Sequence, residues 1–282
     1  MILRKKLAAI LALSAMALFS ACGEAEETPA AEGTPQEETV EISVVGSTTV
    51  QPLAELLSEA YEAVDPNVII TVSGGGSSVG VKSASEQSAD IGMASREIKD
   101  SEIEECPEIV IHTIAYDGIA IVTGLDVELQ GLTMEQARAI FAGEITDWSE
   151  VGAPAGPITV VSREEGSGTR AAFEEMVMGD AFISLDAILQ PSNGAVRTTV
   201  ATTPGSIAFL SFGYLDDSTQ PVKIDGAAPT PENAANGSYP VVRPLNMVTQ
   251  GEPRGAVASF LQFIMTAEAQ EMVASEGYLT IN

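Results

Sequence analysis

The sequence predicts an α/β fold: alternating strands and helices, with mixed, mostly parallel sheets, in one or two lobes. Three observations predict it. Runs of β-branched residues recur along the chain, segments of helical apolar periodicity follow them, and glycine-rich turns join the two. The chain has 282 residues, and about 240 of them past the N-terminal region are enough to build a sizeable core.

Val40-Glu41-Ile42-Ser43-Val44-Val45 is strand-like. After Gly46-Ser47-Thr48-Thr49, the residues Val50, Leu53, Leu56, Leu57, Ala60, Tyr61 and Val64 fall on one helical face, with Pro52 tolerated in the first turn. Asp65-Pro66-Asn67 ends that helix, and Val68–Val72 is the next strand. Gly74–Ser78 is a turn, Val79–Gln87 a helix, and Asp90–Ser95 a short strand running into a loop. Ile109–Ile111 and Ile119–Val122 read as two strands around Tyr116-Asp117-Gly118. Thr133 caps a helix carrying Ala137, Ile140 and Phe141, and Asp147-Trp148 sits in a loop. Pro157–Val161 is a strand, and Ala171–Val177 starts a helix. Ile207–Leu210 is a strand, residues 216–240 are polar and loop-like, and Val241–Leu245 is a late strand. Ala256–Ala274 closes the chain as one amphipathic helix with Val257, Phe260, Leu261, Ile264 and Met265 inward.

The N-terminus is read as a leader. Arg4, Lys5 and Lys6 precede the twelve-residue apolar run Leu7–Leu18, the length of a signal-peptide core and short for a membrane span. Small residues then lead to Cys22, which resembles a bacterial lipoprotein signal in which that cysteine carries the lipid. Phe19 departs from the aliphatic residue preferred there, so plain secretion is the alternative. Residues 1–22 are thus the signal peptide. Residues 23–39, with six Glu and almost nothing apolar, form a disordered acidic tether.

Charge and cysteine content exclude several classes. Without the leader, three of the 13 basic residues are lost, leaving ten against 40 acidic ones and a net charge of −30. Such a domain is unsuited to nucleic acid. Cys106 is then the sole cysteine and His112 the sole histidine, so neither an internal disulfide nor a Cys/His zinc cluster is available, and no metal or cofactor is expected.

The functional signal is a device used three times. Gly46-Ser47-Thr48-Thr49, Gly76-Ser77-Ser78 and Gly166-Ser167-Gly168-Thr169 each follow a strand and open a helix. A helix N-terminus has unpaired N–H groups and a positive dipole end, and glycine lets a ligand approach the backbone. Arg163 and Arg170 flank the third turn with forked donors suited to oxyanions. A single such turn is usually a helix cap; three with an arginine point to oxyanion binding. A P-loop fails because Val81 intervenes between Gly80 and Lys82, and a nucleophile elbow fails because Glu165 stands where glycine is required before Ser167.

These turns, with Ala94-Ser95-Arg96, Ile145–Trp148, Thr203–Ile207 and Tyr239–Leu245, resemble the phosphate-binding proteins of the bacterial Pst ABC transporter, in order from Val40 to Asn282. The resemblance implies a two-lobed periplasmic-binding fold of type II with a hinge between lobes. It implies lobe 1 at 40–114 and 241–282, and lobe 2 at 115–240. The implied partners are inorganic phosphate and the permease subunits of an ABC transporter, for a monomer held to the cell membrane only by its lipid. By position, Thr48, Thr49, Ser77, Ser78, Arg96, Arg163, Ser167, Gly168 and Thr169 would form the phosphate site, with Arg163 as the charge partner. Arg170 has no matched ligand role and would brace the helix behind it.

One position departs from the pattern. Well-known members of this family place an aspartate after the Ala-Ser, where it accepts a hydrogen bond from the phosphate's own proton; this chain has Arg96, as do related phosphate binders with Ala-Ser-Arg. Either Asp117 or Glu165 supplies the acceptor, or discrimination against sulfate is weaker. Arg96 is alternatively a supporting ion-pair residue. The competing functions are an exported phosphoester hydrolase with Ser167 as nucleophile, a receptor for another tetrahedral oxyanion, or a non-catalytic surface protein used for adhesion or sensing.

Overall fold

A computed structural model describes residues 39–281. The expected leader with Cys22, and the expected tether up to residue 38, lie outside the described residues. The first elements alternate as expected, β1 (Val40–Gly46), α1 (Gln51–Val64), β2 (Val68–Gly74), α2 (Ser77–Ser85) and β3 (Ile91–Ala94), and a short α3 (Asp100–Glu105) follows them. β4 (Ile109–Thr123) then leads to α4 (Met134–Ala142), β5 (Thr159–Arg163), α5 (Gly168–Phe173), β6 (Ile188–Gln190), α6 (Asn193–Thr202) and β7 (Ser206–Ser211). β8 (Gln220–Pro221), α7 (Pro231–Ala235), β9 (Val242–Gln250), α8 (Gly255–Ile264) and α9 (Ala267–Ser275) complete the chain.

The sheet order is β2-β1-β3-β9-β4-β7-β5-β6, with β8 on β4. Parallel ladders join β1 to β2 and β3, and β5 to β6 and β7; the central pairings of β3, β4, β7 and β9 are antiparallel. The sheet is therefore mixed, with parallel ladders toward its two ends.

Among the described residues two large hydrophobic clusters lie along it, with a small third around Val81, Ala94 and Val248. One gathers Ile42, Val44, Leu53, Leu57 and Met93 with Phe260 and Ile264. The other gathers Ile121, Phe141, Phe173, Phe209 and Val241, where Phe173 and Phe209 stack at 4.1 Å and 11°. Aromatic pairing of this kind adds about 1 kcal/mol beyond the area it buries.

Two strands connect the clusters, and both differ from the sequence expectation. Ile109–Ile111 and Ile119–Val122 are parts of the single fifteen-residue β4, which pairs with β9 through Gly118 and with β7 from Ile119 onward. The Asp117-Gly118 turn signal is overridden by packing. Arg243 neutralises Asp117, and the Phe212 ring fills the space beside Gly118, where a Cβ would lie 2.2 Å from its tip. The C-terminal helix is two helices, because Thr266 caps α9 and its hydroxyl donates to Phe263 O at 2.7 Å. Met265 consequently lies at the break and is exposed, not inward. α3 and α6 have too little apolar periodicity to be read from sequence; Ser192 caps α6.

Candidate oxyanion-binding site

The three hydroxyl turns converge. β1 ends at Gly46 and places Ser47, Thr48 and Thr49 before α1; β2 delivers Ser77 to the first turn of α2; β5 ends on Arg163 and leads to Ser167, which caps α5 by accepting from Arg170 N. Thr49 Oγ1 lies 3.0 Å from Thr169 Oγ1, which joins the first turn to the third. The amides of Ser77, Gly168 and Thr169 are in first helical turns, where no carbonyl one turn back can accept them.

Hydroxyl hydrogens are oriented by their neighbours. Thr49 Oγ1 accepts from Asn193 Nδ2 at 2.8 Å and from Arg243 Nη2 at 3.3 Å, so its own proton points to Thr169. That leaves the Thr169 proton for an external acceptor. Ser47 Oγ accepts from the amides of Thr49 and Val50 and donates to Ser95 Oγ at 2.9 Å. Ser77 Oγ accepts from Ser95 N at 3.0 Å, which leaves its proton to donate. The cluster presents hydrogens.

Arg163 supplies the charge. It is 2% exposed, and its Nε donates to Gln190 O while Nη2 donates to Pro191 O and to Thr48 Oγ1 at 3.2 Å. Its Nη1 is buried with no hydrogen-bond partner among the described residues. Leaving a charged donor unpaired in a buried place costs free energy unless an anion meets it. Burial pushes the Arg163 guanidinium down to about 10, with repulsion from Arg243 adding to the effect.

The site sits between the two clusters in a closed arrangement. Tyr214 OH donates to Thr48 O at 2.7 Å, and Ser78 N donates to Gly166 O at 3.2 Å. Gly168 faces Ser77 so closely that a Cβ there would lie 2.1 Å from Ser77 Oγ and 2.7 Å from Ser95 Oγ. Only glycine allows that approach.

Two expected residues have other partners. Arg96 forms a two-pronged pair with Glu102, Nη1 to Oε2 at 2.8 Å and Nη2 to Oε1 at 2.7 Å, and also donates to Glu97 O and Ser78 Oγ. Its four terminal N–H groups are committed, so Arg96 is a supporting ion-pair residue and not part of the clamp. Half-burial works against the Glu102 carboxylate, but Arg96 and the Lys99 amide hold it below the usual range. The Ser78 hydroxyl faces Arg96, so Ser78 reaches the clamp through its backbone. Arg170 braces the helix as expected, donating to Glu174 at 2.8 Å and to Arg163 O at 3.2 Å. Of the two alternative acceptors, Glu165 is exposed and Asp117 is fully buried against Arg243.

Sequence reasoning missed Arg243, Asn193 and Tyr214. Arg243 donates twice to Asp117 Oδ2, at 3.1 and 2.8 Å, and once to Ser95 O. Burial raises the Asp117 carboxyl, and Arg243 beside it acts in the opposite direction. A lone arginine inside the apolar run Val241–Leu245 was the available signal, since a buried strand arginine needs a counter-ion. Asn193 lies in a polar stretch and Tyr214 at the end of an apolar run, and neither carries such a signal.

Comparison with known proteins bears on what this clamp belongs to. Residues 28–268 match the model of the PBP superfamily domain. The phosphate-binding protein PstS of Bacillus subtilis (strain 168) is 30% identical over 99% of this chain and 95% of its own. A phosphate ABC transporter substrate-binding protein from Clostridium perfringens, solved by X-ray crystallography with bound phosphate, is 39% identical with a TM-score of 0.82, covering 86% of this chain and 100% of its own. An ABC-type phosphate transport receptor from Vibrio cholerae is 31% identical with a TM-score of 0.72, over 85% and 99% of the two chains. With its two-lobed mixed sheet and the three converging turns, the chain belongs to the PstS family of phosphate-binding proteins within the PBP superfamily.

Proposed function

We propose that this chain is an extracytoplasmic solute-binding protein that captures inorganic phosphate between its lobes and delivers it to the permease subunits of an ABC transporter. The observation that carries this reading is the buried Arg163 Nη1 without a partner among the described residues, set among the hydroxyls and first-turn amides of three helices. Fixed donors of this kind hold an anion inside a strongly acidic protein, because their fields are local. The ligand set is Arg163, Thr48, Ser77, Ser167, Gly168 and Thr169; Thr49, expected there from its position, has its hydroxyl and amide committed and orients the Thr169 hydroxyl instead. The lobes run over 40–114 with 241–282 and over 115–240, hinged on β4 and the chain entering β9. Isothermal titration with phosphate tests the reading: saturable one-to-one binding is expected, and no heat would overturn it.

The chain binds and does not catalyse. A hydrolase using Ser167 needs a base beside it, whereas His112 Nε2 lies 3.1 Å from Thr249 Oγ1 on β9 and Ser167 Oγ caps α5. Turnover of a phosphate ester that depended on Ser167 would reverse this. Cys22 anchors the protein by lipid, with the acidic tether as spacer and no further membrane contact; no described helix is long and apolar enough to cross a membrane. Release of a Cys22→Ala variant into the medium, with loss of the lipid mass, is the expected outcome. The protein acts as a monomer.

A further inference from the structure

We propose that this clamp takes tetrahedral dianions as a class and binds sulfate as well as phosphate, because it holds no carboxylate free to read the ligand's proton. The proposal rests on the reading that the cleft binds phosphate. Phosphate near neutral pH still carries a hydrogen that an acceptor can recognise, whereas sulfate has none. A carboxylate in the cleft would favour the first and repel the second, since an ionised carboxylate only accepts.

Among the described residues, every carboxylate that could play that part is committed elsewhere or faces solvent. Asp117 Oδ2 takes two N–H groups of Arg243, and Oδ1 takes the Phe212 amide at 3.1 Å. Glu102 gives both oxygens to Arg96, and Oε2 also accepts the Lys99 amide at 3.0 Å. Glu164 and Glu165 are exposed, and Glu55 is exposed and paired with Gln51. What remains around Arg163 Nη1 is neutral hydroxyls and amides. A hydroxyl can turn to accept from a protonated oxygen or turn back to donate to an ionised one. Thr48 and Ser167 each keep a lone pair and a proton for this, after accepting from Arg163 and from Arg170 N. Such groups impose no repulsion on sulfate. The two buried guanidinia, Arg163 and Arg243, favour the higher charge equally for both ions.

Competitive titration of the purified protein with phosphate and sulfate, each also tested on Arg163→Ala, decides it. A site that uses a buried acceptor rejects an analogue lacking the hydrogen by about 10⁴–10⁵-fold. Here sulfate is expected to bind within about 100-fold of phosphate, to displace it, and to lose binding in Arg163→Ala. Phosphate binding with sulfate weaker by more than about 100-fold, or sulfate binding that survives Arg163→Ala, would overturn the proposal while leaving the phosphate reading intact. Sulfate binding without phosphate, or binding of neither, would overturn both the phosphate reading and the proposal that rests on it.

Discussion

Arg163 and Thr48, 115 residues apart, meet at 3.2 Å between Nη2 and Oγ1. The bond ties the end of β5 to the turn before α1, so the residue that supplies the charge also links the two halves of the clamp. Removing it should abolish ligand binding and loosen closure together. Arg163→Ala is expected to weaken phosphate binding by at least about 30-fold, since a truncated charge-assisted contact in a desolvated site costs about 2–5 kcal/mol. Arg163→Lys should lose most of the same affinity, because an ammonium cannot hold Gln190 O, Pro191 O, Thr48 and an anion in one plane. Titration calorimetry checks both.

Gly168 tests closure independently of charge. Gly168→Ala adds a Cβ that would lie 2.1 Å from Ser77 Oγ, which the closed arrangement cannot absorb without a shift. An alanine near a helix start is otherwise well tolerated. The variant is expected to keep its melting temperature, lose phosphate affinity by more than about tenfold, and show no compaction by small-angle scattering when phosphate is added. Wild-type affinity would contradict the close approach.

Arg96 and Glu102 should affect stability and leave binding alone. Glu102→Gln leaves a nearly buried guanidinium with a weaker partner, at a cost of about 1–3 kcal/mol. Because all four terminal N–H groups of Arg96 point at Glu102, Glu97 O and Ser78, phosphate affinity is expected within about threefold of wild type. A large affinity loss without destabilisation would return Arg96 to the clamp.

Affinity should also have an alkaline limit. A guanidinium is charged below its pKa, and burial lowers that of Arg163 to about 10. Its charge is therefore present through neutral pH and is lost as pH rises through about 10. Phosphate affinity measured from about pH 8 to 11 should be flat and then fall. A fall that set in near neutrality would implicate another group.

Much of this was legible in the sequence, and the rest was hidden for identifiable reasons. The Gly-Ser turns and Arg163 were readable because local chemistry dictates them: a strand end, a glycine, a hydroxyl cap and a helix start are consecutive in the chain. Thr133 was readable for the same reason, and its hydroxyl does cap α4. The Asp117-Gly118 pair misled because its turn propensity is overruled by Arg243 and Phe212, which arrive from 126 and 94 positions away. Asn193 had no local signature, since it orients Thr49 only once α6 has docked. Arg96 shows the limit of positional matching. Its backbone occupies the expected place beside Ser95, but its side chain follows the nearest carboxylate, Glu102.

The most direct measurement is a crystal structure grown with phosphate. The expected result is an anion within hydrogen-bond distance of Arg163 Nη1 and of the Gly168 and Thr169 amides, with Arg96 still paired to Glu102. An anion bound elsewhere, or a closed cleft in which Arg163 Nη1 meets none, would contradict the clamp.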